Sequence, residues 1–153
     1  MKINGYNILS NEEVVSLFRD GDTVAFSGFT AAGAAKAVPA MLADHARNEH
    51  DKGRSFRIRV LTGASSGDYI DNGLADAHAI SWRAPYQGGK TLRNQINTQE
   101  VEYVDMHLSH MPQMLRFGFL PQVTTAMVEA CDVTDDGKVY LTMSSGNSPT
   151  FLT

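Results

Sequence analysis

Three segments of small residues have the composition and spacing to bind an anion. They are residues 27–33 (Ser-Gly-Phe-Thr-Ala-Ala-Gly), 63–67 (Gly-Ala-Ser-Ser-Gly) and 144–150 (Ser-Ser-Gly-Asn-Ser-Pro-Thr). The first lies between an apolar run and an alanine-rich segment with helical character. A strand that ends in a glycine loop and leads into a helix directs backbone N–H groups beyond its carboxyl end. We therefore take residues 27–33 as the element around which the chain is organised.

Residues 63–67 also match the G-x-S-x-G pattern of a nucleophile elbow. Asp105 and then His107 or His110 follow in the order of the hydrolase triad, so a serine hydrolase using Ser65 is a rival hypothesis. No His-Gly-Gly oxyanion segment precedes the serine, and small-residue pentamers match this pattern easily by chance. A tight turn beside a ligand loop is the better interpretation, in which the Ser65 hydroxyl binds an anion at a helix N-terminus.

Residues 84–91 (Ala-Pro-Tyr-Gln-Gly-Gly-Lys-Thr) differ from a Walker A motif at one position. Ala84 replaces the first glycine, and Pro85 removes a backbone N–H that a phosphate cradle needs. The sequence therefore argues against nucleoside triphosphate binding. Arg83, Lys90 and Arg93 remain candidates for an anion-binding or interface patch.

The segment from Asp105 to His110 places carboxylate and imidazole groups close together, but no second cluster completes a metal site. We predict hydrogen-bonded polar residues at a strand end and no metal. Cys131 follows an apolar run and is predicted to be a core residue.

Strands that alternate with helices must position these groups. The predicted strands are 23–27, 56–62, 79–82, 103–107, 125–131 and 138–142; the predicted helices are 10–20, 35–47, 68–74, 92–96 and 112–119. A capping box, Ser10 with Glu13, begins the first helix, and Pro39 places the start of the second near residues 35–38. Strands joined by helical crossovers predict an α/β domain with a largely parallel sheet, whose ligands lie outside the carboxyl ends of the strands.

Composition limits the class of protein. The chain has 153 residues, 42% hydrophobic and 20% charged, with a net charge of −4. The mild acidity argues against a nucleic-acid or anionic-membrane partner, and no apolar run approaches the roughly 20 residues of a membrane span. One cysteine and no visible secretory signal favour a cytoplasmic protein.

Residues 20–33 resemble the N-terminal signature of class I coenzyme A transferases. The wider pattern is similar to the acetyl-CoA hydrolase/transferase family, which includes succinyl-CoA:acetate and 4-hydroxybutyrate CoA-transferases. The segments that carry this likeness are 27–30, 36–39, 62–65, 83–87, 93, 96–97, 105–110, 128–130 and 146–150. The resemblance covers nearly the whole chain. Ala35 stands where the signature commonly has proline.

The resemblance implies a three-layer, CoA-transferase-like α/β fold with helices on both faces of the sheet. Family members consist of two similar domains, and their nucleophile is a glutamate in the C-terminal half. That glutamate attacks the thioester and forms an acyl anhydride and then an enzyme–CoA thioester. On this basis residues 1–153 correspond to the N-terminal domain, none of their glutamates is catalytic, and the chain alone is inactive. Coenzyme A is a substrate and not a permanently bound cofactor.

The three small-residue loops would then form one wall of a pocket for an acyl group or a small carboxylate. The residues expected to bind substrate are Gly28, Phe29, Thr30, Gly33, Gly63, Ala64, Ser65, Gly146 and Asn147. The expected partners are an acyl-CoA, a small carboxylate, and either a C-terminal catalytic domain or a second copy of the chain. A non-catalytic subunit completed by a partner chain is the alternative.

Overall fold

The computed structural model describes residues 2–64 and 67–153. Its strands are β1 (Lys2–Ile3), β2 (Tyr6–Asn7), β3 (Thr23–Phe26), β4 (Ile58–Leu61), β5 (Ile80–Ala84), β6 (Glu102–Tyr103), β7 (Thr125–Met127), β8 (Ala130–Val133) and β9 (Val139–Leu141). Its helices are α1 (Asn11–Val15), α2 (Ala37–Asp51), α3 (Asp71–Asp76), α4 (Lys90–Asn97), α5 (Met111–Arg116) and α6 (Ser148–Phe151).

Five strands form the central sheet, in the order β6-β5-β4-β3-β7. Every neighbouring pair in it is parallel. The carboxyl ends of all five strands therefore lie along one edge, which we call the carboxyl edge. The predicted parallel α/β sheet is confirmed.

Side chains alternate between the two faces of this sheet. Val24 and Phe26 belong to a core with residues of α2, α3 and α4, whereas Ala25 and Leu61 pack with Met111 of α5 and Phe151 of α6. Both faces are thus covered by helices. The structure has the three-layer architecture expected of a CoA-transferase-like domain.

Local sequence rules explain where the first two helices begin. Ser10 Oγ accepts from the Glu13 N–H at 3.2 Å, and the Glu13 carboxylate accepts from the Ser10 N–H at 2.7 Å, so the predicted capping box is formed. Helix α2 begins at Ala37, which leaves Pro39 in its first turn as predicted. The helix continues to Asp51, four residues beyond the expected end, and stops before Gly53, whose φ is +71°.

The strand predicted for residues 103–107 was wrong beyond Tyr103. β6 pairs only with β5, and Pro85 follows the last residue of β5. The Val104 N–H still donates to the Arg83 carbonyl at 3.0 Å and the Met106 N–H to the Pro85 carbonyl at 3.3 Å, but Pro85 has no N–H to donate in return, and residues 104–110 form a loop. β5 reaches Ala84 and α4 begins at Lys90, so residues 85–89 form the connection between them.

The predicted strand 125–131 is divided in two. β7 completes the sheet, while β8 pairs with β9 in a separate antiparallel hairpin. Cys131 lies on this hairpin and is exposed, so its prediction as a core residue was wrong. A second hairpin, β1–β2, turns at Asn4 and Gly5, both at positive φ. The Asn4 amide donates to the Val133 carbonyl at 2.8 Å and joins the two hairpins.

A buried ion pair anchors the connection after β5. Arg83 donates from Nε and Nη2 to Asp71 Oδ1 at 3.1 and 3.0 Å, and both side chains have no exposed surface. The other Asp71 oxygen accepts from the Gly88 N–H at 2.9 Å. Arg83 is therefore not part of a surface anion-binding patch, as the sequence had suggested. Its charge instead holds residues 85–89 against the start of α3.

Replacing Arg83 by methionine should lower the free energy of unfolding by about 3–5 kcal/mol, because Asp71 would remain buried without its cation. Urea denaturation measures this. Lys138→Met is the matched control, since Lys138 and its partner Asp136 are 68% and 54% exposed and such pairs contribute little. Equal losses in the two variants would contradict a structural role for the buried pair.

Candidate functional site

The three small-residue loops meet at the carboxyl edge. The carbonyl oxygen of Gly28 lies so close to the other two loops that a Cβ on Gly63 would be 2.8 Å from it, and a Cβ on Gly146 only 2.5 Å. Gly146 also has a φ of +49°. Only glycine permits this approach of three backbones. We call Gly28, Gly63 and Gly146 the glycine cluster.

Ser27 fixes the base of the first loop. Its hydroxyl donates to the Gly33 carbonyl at 2.7 Å and accepts from the Glu129 N–H at 3.0 Å, and the residue is 1% exposed. Within the loop, Phe29 and Ala32 exchange backbone hydrogen bonds of 3.0 and 3.1 Å. Residues 28–33 therefore form a closed turn that projects from the sheet.

The tip of this turn carries a strained residue. Thr30 has a φ of +54°, a conformation that β-branched side chains rarely adopt and that costs of order 1–3 kcal/mol. Thr30 and its neighbour Phe29 are exposed; Phe29 is 50% exposed. Such strain concentrates at binding and catalytic sites. The hydroxyl and ring are thus presented to solvent at the carboxyl edge.

The third loop is attached to the first two by side chains. Ser144 Oγ donates to the Ala32 carbonyl at 2.6 Å. Gly33 packs so closely on Ser144 that a Cβ on Gly33 would be 2.9 Å from Ser144 Oγ. The buried Asn147 amide donates to the Thr62 carbonyl at 3.4 Å and to Met111 Sδ at 3.3 Å. These bonds hold the loop over the end of β4.

Of the nine residues expected to bind substrate, the structure places eight at this edge. Gly33, Gly63 and Asn147 are buried, whereas Ala64 is partly accessible. Ser65 lies outside the described residues. Ser27 and Ser144 were not among the predicted site residues, although both belong to the small-residue segments. For Ser27 the available indication was its position between an apolar run and Gly28.

The backbone of the cluster offers neutral hydrogen-bond donors. The N–H groups of Gly63 and Gly146 donate to no other described residue. Lys36, the cation beside the first loop, is already paired: its ammonium donates to Glu129 Oε2 at 2.8 Å and to the Ala34 carbonyl at 3.0 Å. The groups of the cluster left without an acceptor among the described residues are therefore backbone N–H groups.

Glu129 connects the β8–β9 hairpin to the first loop. It accepts from Lys36 on one oxygen and from the Thr142 hydroxyl on the other, at 2.7 Å. These two hydrogen bonds, that of Lys36 first, lower the pKa of the Glu129 carboxyl below its usual value. The carboxylate is fully engaged in holding the hairpin.

The carboxylate and imidazole groups considered for a hydrolase or a metal site, Asp105, His107 and His110, lie between β6 and α5. His107 Nδ1 is hydrogen-bonded to Ser109 Oγ at 2.7 Å, and its ring centroid lies 5.6 Å from that of His110. Burial, followed by the charge of Asp105, raises the pKa of Tyr103.

Within residues 2–64 and 67–153, no three His, Cys, Asp or Glu side chains are placed to hold a metal ion. No helix in that part of the chain is long and apolar enough to span a bilayer.

Comparison with known proteins identifies the family. The model of the acetyl-CoA hydrolase/transferase N-terminal domain matches residues 5–153. The chain therefore belongs to the acetyl-CoA hydrolase/transferase family, as the resemblance implied.

Curated relatives carry both activities of the family name. The chain is 44% identical to a propanoyl-CoA:succinate CoA transferase of Escherichia coli over 94% of its own length and 29% of the relative. It is 34% identical to a succinyl-CoA:acetate CoA-transferase of Clostridium kluyveri, covering 95% of this chain and 26% of that protein. An acetyl-CoA hydrolase of Saccharomyces cerevisiae is 36% identical over 92% of this chain and 28% of the relative. The chain thus spans less than a third of each relative.

Gly146→Ala should destabilise the fold by about 2–4 kcal/mol, because a Cβ adds backbone strain at positive φ to an overlap with the Gly28 carbonyl. Gly53→Ala is the matched control: its φ is also positive, at +71°, but nothing lies within 4 Å of the new Cβ. Backbone strain alone should lower the stability of this variant, by about 1–2 kcal/mol. Urea denaturation measures the loss of unfolding free energy in both variants, and the difference between the two losses is the contribution of the overlap with Gly28. Identical losses would contradict the close approach of the loops.

Glu129→Gln should lower stability at neutral pH and have a diminishing effect in acid. Because the folded pKa of Glu129 is depressed, its ion pair stabilises the fold above the unfolded pKa of about 4.3 and is lost as the pH falls through the lower folded value. Unfolding free energies of wild type and variant, measured from pH 7 downward, should converge. Glu102→Gln, at an exposed carboxylate without a hydrogen bond to a described residue, is the control. A gap that persists at low pH would contradict this role.

Proposed function

We propose that this chain is the N-terminal domain of an enzyme that moves coenzyme A between an acyl-CoA and a small carboxylate, or to water. In this proposal the carboxyl edge forms one wall of the acyl and carboxylate pocket. The observation that carries it is the meeting of three loops at the glycine cluster, in a chain that belongs to the acetyl-CoA hydrolase/transferase family.

The chemistry of the wall suits a carboxylate or a thioester carbonyl. Both are hydrogen-bond acceptors, and the N–H groups of Gly63 and Gly146 are donors without an acceptor among the described residues. The exposed Thr30 hydroxyl adds a side-chain donor on the facing loop. Donors that are fixed in place before the ligand arrives stabilise negative charge without reorganisation.

The nucleophilic glutamate is proposed to lie in sequence outside residues 1–153. Relatives are more than three times as long as the matched region, and their names describe complete transferases and hydrolases. Within the chain, the carboxylates of Glu129 and Glu49 are engaged by cations: Lys36 and Arg54, respectively. The proposed role of this domain is to bind and orient, while a second domain supplies the attacking group.

Acetate added to the ¹⁵N-labelled chain should shift the backbone amide resonances of the three loops at the carboxyl edge. The expected cause is a hydrogen bond from loop N–H groups to the carboxylate. Acetamide, which has the same shape but no charge, should shift them much less. Gly53, at the far end of α2, serves as the internal control because it should not respond to either ligand. Equal responses to the two ligands, or none, would overturn the proposed carboxylate site.

Turnover provides an independent test of the missing nucleophile. The chain alone should release no coenzyme A from acetyl-CoA, with or without succinate. Sustained turnover that requires no second polypeptide would show that the catalytic group lies within these residues.

A further inference from the structure

The central sheet extends unequally to the two sides of β3. From β3 the chain proceeds to β4, β5 and β6 in one direction, and the connecting helices α2, α3 and α4 all pack in the core that contains Val24 and Phe26. The chain then returns across the sheet through α5, which packs in the opposite core, to β7 on the other side of β3. This reversal is the switch point of a doubly wound sheet. Three strands thus lie on one side of β3, and β7 is the single described strand on the other.

β7 is more exposed than the interior strands. All four residues of β3 are buried, whereas Thr125, Ala126 and Met127 of β7 are each half-buried. β7 pairs with β3, and no other described strand pairs with its outer side. At the opposite end of the sheet, β6 contains the exposed charge of Glu102, which discourages strand pairing, but β7 has no charged residue. The outer side of β7 is therefore suited to pairing with a further strand.

An apolar groove of about 600 Å³ lies beside β7, between α5 and α6. The residues that line it include Leu115, Leu120, Val123, Phe151 and Thr153. Leu120 and Phe151 belong to the same core cluster as Ala126 of β7. Phe117 and Phe119, in the segment that follows α5, are 66% and 69% exposed. Exposed aromatic side chains next to an apolar groove are typical of an interaction surface.

The groove lies on the face where the connection to a further strand would run. Crossovers between parallel strands are right-handed. The crossovers through α2, α3 and α4 proceed from β3 towards β6 over one face of the sheet. A right-handed crossover in the opposite direction, outward from β7, must therefore run over the other face, which is the face of α5 and α6. The unpaired side of β7 and the groove are thus placed to receive one continuous segment.

We propose that the outer side of β7 and the groove between α5 and α6 form one docking surface, occupied by a parallel β-strand and its connecting segment from the part of the polypeptide outside residues 1–153. Relatives are more than three times as long as the matched region, so they have sequence to supply this segment. The inference rests on the part of the proposed function that places further sequence of the same polypeptide outside these residues. It does not depend on the carboxylate site.

Hydrogen exchange tests the strand pairing in this chain and in the complete Escherichia coli transferase, which is 44% identical to it. In this chain the amides of β7 should exchange roughly tenfold or more faster than those of β4, because an edge strand opens more readily than an interior one. In the transferase, the segment aligned with β7 should exchange as slowly as the segment aligned with β4. β6, at the opposite end of the sheet, is the internal control and should differ little between the two proteins. Fast exchange of the β7 segment in the transferase, or equal protection of β6 and β7, would overturn the proposal.

Two substitutions test whether the surface is open in this chain. Phe119→Ser should leave the melting temperature unchanged, because the ring is mostly exposed. Leu120→Ser, at the adjacent residue, is the matched control; its side chain is 8% exposed, and the variant should melt lower by roughly 5 °C or more. Equal losses in the two variants would show that the chain already covers Phe119 and would contradict the proposal.

Sedimentation separates the proposed occupant from a second copy of the chain. At micromolar concentration the chain alone should be a monomer, because a strand of three residues provides few hydrogen bonds to hold two copies together. A dimer in which the β7 amides are protected would identify a second copy as the occupant and would overturn the proposal. A chain that does not respond to acetate, with the exchange results as expected, would refute the carboxylate site and support the docking surface.

Discussion

The carbonyl oxygen of Gly28 is packed directly against the α-carbons of two other glycines, and the carboxyl edge is arranged around this contact. Backbones can approach so closely only because Gly63 and Gly146 lack a side chain. Parallel pairing of β3 and β4 brings Gly28 and Gly63 to the same edge, and Asn147 holds Gly146 over them. A methyl group added at Gly63 or Gly146 would overlap the Gly28 carbonyl and separate the loops.

Charged groups near this edge are used to build it. Arg83 is paired with Asp71 beneath the loop after β5, and Lys36 is paired with Glu129 beside the loop after β3. The N–H groups of Gly63 and Gly146 and the Thr30 hydroxyl donate to no described residue. The pairing of Arg83 and Lys36 thus fixes the loops after β5 and β3, and leaves backbone and hydroxyl donors at the glycine cluster without an acceptor in the described part of the chain.

The sequence predicted the parallel sheet, the capping box, the first-turn proline and the convergence of the small-residue loops, since each follows from local patterns and the direction of parallel strands. It could not predict that Arg83 would be buried, because its partner Asp71 lies on another element. The end of β6 at Tyr103 depended on Pro85, which follows the neighbouring strand β5. The exposure of Cys131 depended on a break between β7 and β8 that the apolar run concealed. The hydrogen bond from the Glu129 N–H to Ser27 Oγ joins residues 102 positions apart and could not be read from local patterns.

One local cost at the carboxyl edge is backbone strain. Thr30 is held at a positive φ that its branched side chain disfavours. Asn4, His78 and Gln99 are also at positive φ, but Thr30 is the one β-branched residue among the described residues with that conformation. Folded chains retain such strain where the surroundings enforce it, and functional sites are where it concentrates. The strain at Thr30 is therefore a reason to place ligand binding beside the glycine cluster, and it does not depend on the family to which the chain belongs.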